Sequence, residues 1–113
     1  MSTTFSDLLQ QELKDPEFAR HYAVESARIA AIDSTVNELD ELRERAGLTK
    51  AQLARAIGAN TSVVRRLLSS RSANPTLGTV AEIAAALGMK VTLVPMSEDE
   101  RERITVPMTA ACV

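Results

Sequence analysis

The chain has no tryptophan, one cysteine, one histidine and only three aromatic residues (Phe5, Phe18, Tyr22) among its 113 positions. A lone Cys112 excludes an intrachain disulfide and suits a reducing cytoplasm. With no His or basic residue near it in sequence to activate the thiol, Cys112 reads as exposed and idle. Scarcity of aromatics disfavours a β-sandwich, whose core draws on aromatic and β-branched side chains. No apolar run approaches the roughly 20 residues of a membrane span. Residues 1–5 show neither the basic nor the apolar region of a secretory leader. His21 has no Cys or carboxylate partner at ligand spacing, so a metal role is not expected. Asp99, Glu100 and Glu102 form a solvated run rather than a catalytic dyad. There is no glycine-rich phosphate loop and no nucleophile elbow. An enzyme is therefore not expected, nor a cofactor.

What is present is Ala, Leu, Val and Ile in quantity, within a hydrophobic content of 45%. This favours close-packed helices, and length suits one compact domain with tails. Charge is unevenly distributed. Residues 1–45 hold five basic and ten acidic side chains, and residues 78–113 hold three and five. Between them, residues 46–77 carry Lys50, Arg55, Arg65, Arg66 and Arg71 and no acid at all. A basic block between acidic flanks suits a polyanion-binding surface on a protein with another role elsewhere.

Local signals divide the chain into helices. Ser6 is placed to cap a first helix, residues 7–13. Asp15-Pro16-Glu17 combines an N-cap acceptor, a proline at the first helical position and an acid near the positive dipole end. Phe18, Tyr22, Ile29, Ile32, Val36, Leu39 and Leu42 then recur at three- and four-residue steps down to Ala46. The capping residues Asp33, Ser34 and Thr35 leave open whether this is one helix or two. Gly47 suits the stop. Thr49 and Gln52 have the spacing of a capping box for a helix ending at Gly58. Asn60 precedes a helix over 61–69, and Thr76 precedes one over 77–87 that Gly88 closes. Residues 91–94 alternate and are β-branched, which predicts a short strand before Pro95. A lone strand is unstable, so it must pair with a second strand at 104–106 or with its counterpart in another subunit, through Val91 and Leu93. The second pairing is favoured. Residues 97–103 read as a helical turn or as disorder.

Two of these helices form a particular unit. Leu53, Ala54, Ile57, Val64, Leu67 and Leu68 supply an apolar interior across a tight turn at Gly58. Short helices joined this way make a helix-turn-helix, whose second helix enters the major groove of double-stranded DNA. On that helix Val64, Leu67 and Leu68 mark the core face, which leaves Ser62, Arg65, Arg66 and Ser69 off it. Arg65 and Arg66 are candidate base readers, since arginine bonds guanine O6 and N7 as a pair. Thr61 and Ser62 offer hydroxyls, and Val63 offers a methyl contact to thymine. Lys50 and the N-terminus of its helix suit a phosphate. Gln52 and Asn60 border the same surface, and Arg71 and Asn74 lie in the following loop, placed for the backbone.

The pattern Gly47-Leu48-Thr49-x-x-x-Leu53-Ala54-x-x-Ile57-Gly58, with Ser62-x-Val64-x-Arg66-Leu67, Asn74-Pro75-Thr76-Leu77-x-Thr79 and Ala84-x-x-Leu87-Gly88, resembles XRE (Cro-type) helix-turn-helix domains. The resemblance covers about residues 36–90. It implies an all-α, five-helix bundle with a recognition helix at 61–69, binding palindromic operators as a homodimer. Residues 1–35 would then be an N-terminal helical extension and residues 91–113 a short strand and tail. By position, Lys50 stands where that family often has a DNA-contacting glutamine, and Thr61, Ser62, Val63 and Arg66 stand at contact positions. The chain departs at Leu68-Ser69-Ser70, where the family usually has Glu-x-Gly, and its loop is one residue longer before Asn74.

Ahead of the domain, Leu13-Lys14-Asp15-Pro16-Glu17-Phe18-x-x-x-Tyr22 is similar to antitoxins of HigA type. That resemblance implies a transcriptional repressor that autoregulates its operon and neutralises a HigB-like ribonuclease toxin. The acidic N-terminal half suits a basic partner, and Phe18 and Tyr22 are available as contacts. A stand-alone repressor, or an interaction module without DNA binding, is the alternative reading.

Overall fold

The computed structural model describes residues 4–69 and 74–110. It is mainly helical. In order come α1 (Phe5–Glu12), α2 (Pro16–Arg45), α3 (Lys50–Ala56), α4 (Thr61–Ser69) and α5 (Leu77–Ala86). A last helical segment, α6 (98–109), joins Glu98–Glu100 and Val106–Thr109 through a π turn at Arg101–Thr105.

Local chemistry accounts for the boundaries. At α1 the cap is Thr4, not Ser6. Thr4 Oγ1 accepts from the Asp7 amide at 3.1 Å while Asp7 Oδ2 accepts from the Thr4 amide at 3.4 Å, and Ser6 has no acid three residues on. Asp15 Oδ1 accepts from the Glu17 amide at 3.0 Å beside Pro16, starting α2. That helix then runs unbroken for 30 residues. Asp33, Ser34 and Thr35 lie within it, because their capping capacity matters only where the i→i−4 ladder stops. It ends at Gly47, whose φ of 72° lets Leu48 N–H reach back to the Arg43 carbonyl at 3.2 Å. Arg43 fixes this corner further. Its Nη1 donates to the Leu48 carbonyl at 2.7 Å and its Nε to Asp40 at 3.0 Å, with the side chain only 13% exposed.

The expected C-terminal strand is absent. Residues 89–97 take no regular secondary structure and form no ladder, and no strand occurs among the described residues. Its expected intrachain partner, 104–106, is helical. There the Ser97–Glu100 capping box nucleates a helix and an Asp99–Arg103 pair at 3.2 Å supports it one turn on. Pro107 explains the π turn. In an α-helix its ring would meet the Arg103 carbonyl. The wider turn relieves this, and Val106 N–H bonds to the Arg101 carbonyl instead.

The chain divides into two compact units: Ala31–Leu93, and the residues up to Ala30 together with those from Val94. Helix α2 gives its first half to one and its second half to the other. In the 31–93 unit, Val36 and Leu39 of α2, Leu53 and Ala54 of α3, Val64, Leu67 and Leu68 of α4, and Val80, Ile83 and Ala84 of α5 form one buried cluster. Leu53, Val64 and Ile83 are fully buried. Each such side chain contributes about 1.5–3 kcal/mol by leaving water. Four helices therefore enclose this core, not five. Past Gly88 the alternating residues 91–94 and Pro95 do not continue as a helix that would supply a fifth.

Candidate nucleic-acid interface

The site rests on the pairing of α3 and α4. Thr49 Oγ1 accepts from the Gln52 amide at 3.1 Å, and Gln52 Oε1 accepts from the Thr49 amide at 2.8 Å, so both halves of the predicted capping box form. Leu53 and Ala54 point inward with 0% exposure, and the small Ala54 lets the helices approach. At the turn Gly58 has φ 70°; Ala59 N–H closes on the Ala54 carbonyl at 2.9 Å and Gly58 N–H on the Arg55 carbonyl at 3.2 Å. These two bonds define a Schellman stop, which redirects the chain into α4.

Helix α4 has two opposed faces. Val64, Leu67 and Leu68 are buried. Ser62, Arg65, Arg66 and Ser69 are exposed, and at 3.6 residues per turn they gather on the side opposite the core. Val63, 43% exposed, and half-buried Thr61 flank this stripe. Asn60 is exposed just ahead of it and Asn74 in the segment leading to α5. Arg71 lies outside the described residues. Among the described residues, no ion pair or side-chain hydrogen bond engages the guanidinium of Arg55, Arg65 or Arg66, and no acid falls between positions 46 and 77. Their charge is thus available to a ligand. Gln52, exposed, spends its carbonyl on the cap and keeps its amide N–H groups.

One element of the site was not visible in the sequence. Lys50 Nζ donates to Ser69 Oγ at 2.9 Å, tying the first turn of α3 to the last turn of α4. Ser69 falls where the expected Glu-x-Gly pattern lapses. Its only sequence signal was a position on the exposed stripe of α4.

The model of a helix-turn-helix domain family matches residues 36–95, just over half of the chain. The chain belongs to the helix-turn-helix domain family. The match begins at the buried Val36 of α2 and runs past α5, so it takes in the whole α3–α4 unit. Searches of curated proteins and of solved structures each returned no significant match. Of the remaining candidate positions in this helix-turn-helix protein, Val91 is 47% and Leu93 is 95% exposed. Phe18 and Tyr22 stack at 6.3 Å between ring centroids, 22° between planes, with Tyr22 43% exposed. Among the described residues no helix is long and apolar enough to cross a membrane.

Proposed function

We propose that this helix-turn-helix protein is a sequence-specific DNA-binding repressor, with α4 as its recognition helix. The observation that carries this is the exposed stripe Ser62, Arg65, Arg66 and Ser69, whose two arginine side chains have no partner among the described residues in a stretch free of acids. Arg66, with Arg65 beside it, reads base edges; Thr61, Ser62 and Val63 fit flanking contacts; Lys50, Gln52, Asn60, Arg71 and Asn74 position the domain on the phosphates. A gel shift with the DNA upstream of the protein's own gene, at about 50–100 mM salt, tests it. Retardation competed by that fragment better than by random DNA is expected. No retardation rejects the reading.

The repressor binds a palindromic operator as a homodimer. Val91 and Leu93 support this, since an alternating stretch that forms no ladder among the described residues and exposes apolar side chains is suited to pair across a two-fold axis. Sedimentation of the purified protein tests it: a monomer at the concentrations that shift DNA rules the dimer out.

The protein is further proposed to act as the antitoxin of a HigB-like ribonuclease. The Leu13–Tyr22 sequence supports this, as does the acidity of the unit to which it belongs. Co-expression with the product of the adjacent gene is the test. Growth arrest by that product alone, relieved by this protein, is expected; a neighbour without toxicity leaves a stand-alone repressor.

A further inference from the structure

The unit formed by residues up to Ala30 and from Val94 has almost no interior of its own. Among its described residues only Ala23 is buried, whereas Phe5, Leu8, Tyr22, Ile29 and Val106 are 43–81% exposed. A groove of about 550 Å³ runs through it. One wall is α2 from Ala19 to Ala30, three turns or roughly 16 Å long. The other is α6, where the π turn forced by Pro107 places Glu102, Arg103 and Ile104 together on the groove. Leu13 closes one part.

Charge narrows what fits. The unit carries nine acidic and five basic residues, whereas residues 31–93 carry six and eight. Of the groove's own charges, Arg103 is tied to Asp99 at 3.2 Å, and Glu102 is left without a partner among the described residues. An elongated apolar slot with an unbalanced carboxylate suits a helix with an apolar stripe flanked by basic side chains.

We propose that this groove is the docking surface for a partner protein, and that the partner inserts a basic amphipathic helix about three turns long. The inference rests on the proposed partner-binding role and locates it on the α2–α6 groove, in the unit that does not contain α4. Phe18 and Tyr22 then serve as a stacked pair at its edge rather than as the whole contact.

The probe is a fluorescent Leu/Lys amphipathic peptide of about 14 residues, with a Leu/Glu peptide of the same pattern as control. Ser26, which lines the groove, is replaced as Ser26→Phe to fill it, and Glu102 as Glu102→Lys to reverse its charge. Both variants are first shown to keep the wild-type helical circular dichroism and DNA shift. Wild-type protein is expected to bind the Leu/Lys peptide, and each variant to bind it about tenfold more weakly. Equal binding by Ser26→Phe, equal binding of the two peptides, or no binding overturns the proposal. The partner reading fails separately: if the adjacent gene's product binds Ser26→Phe as well as wild type, the groove assignment falls and the partner role stands. If that product does not bind at all while the peptide pattern holds, the partner role falls and the groove stands.

Discussion

Lys50 and Ser69 are 19 residues apart in sequence, yet the lysine Nζ lies 2.9 Å from the serine hydroxyl. The bond ties the start of α3 to the end of α4 and so holds Lys50, the proposed phosphate contact, beside the proposed recognition helix. Lys50→Ala is expected to weaken binding to all DNA sequences alike and to lower the slope of log K against log salt by about one. Ser69→Ala leaves the charge and frees its stem, so affinity falls slightly with the slope unchanged. A salt titration of both variants separates the two effects; an unchanged slope in Lys50→Ala removes that lysine from the phosphate contact.

Arg66 is expected to behave differently. Exposed on α4 opposite Leu68 and without an ion-pair partner among the described residues, its side chain is placed to address a base pair in the proposed complex. Arg66→Ala should cost about 1–3 kcal/mol on the native operator and much less on random DNA, relaxing preference at one position. Competition binding against a set of single-base operator variants reads this. Equal losses on every sequence make Arg66 a phosphate contact.

Much of the fold was legible because its signals are local. Thr49 with Gln52, Asp15 with Pro16, and the stops at Gly47 and Gly58 are each written within a few residues. Leu53, Ala54, Val64, Leu67 and Leu68 follow from helical period alone. What was not legible depends on distance or on competition. Arg43 reads as one more charge on a helix, and only the fold sets its guanidinium against the Leu48 carbonyl. The Lys50–Ser69 bond needs two helices already packed. At Ile104–Val106 a β-branched pattern was outweighed by a capping box and an i,i+4 ion pair upstream. At Asp33-Ser34-Thr35 an uninterrupted ladder outweighed three capping residues.

Gly58 is the position where backbone alone decides. A Cβ added there meets nothing within 4 Å, so space is not the constraint; φ of +70° is. Gly58→Ala is therefore expected to destabilise the protein by about 1–2 kcal/mol, the cost of placing an L side chain in the left-handed region. Denaturant unfolding measures it. A neutral result means the turn relaxes to another conformation, and DNA binding should then suffer, because α4 would be reoriented.

Leu53→Ala removes a side chain with 0% exposure where α3 meets α4 and α5. The expected loss is about 2–5 kcal/mol, comprising lost transfer energy and the residual cavity. The same measurement on Leu93→Ala, at 95% exposure, should show almost no change in a monomer. If Leu93→Ala instead lowers stability in a way that depends on protein concentration, the 89–97 segment is part of a dimer interface.

Glu100 supplies a pH-dependent test of α6. Its carboxylate accepts from the Ser97 amide at 3.1 Å, and this bond, followed by that from the Ser97 hydroxyl, holds its pKa below the ordinary 4.5. A carboxyl whose folded-state pKa is depressed adds stability above its unfolded value, and that contribution is lost as pH falls through the folded one. The α6 cap should therefore be fully formed at neutral pH and weaken only below pH 4.5. Ser97 has φ −65°, a value proline adopts without strain, so Ser97→Pro removes both donors while keeping the backbone path. In that variant the Glu100 carboxyl titration, followed by carbon chemical shift, should move up towards 4.5. A midpoint that stays low assigns the shift to Arg103 instead of the cap, and α6 would then owe its start to the Asp99–Arg103 pair.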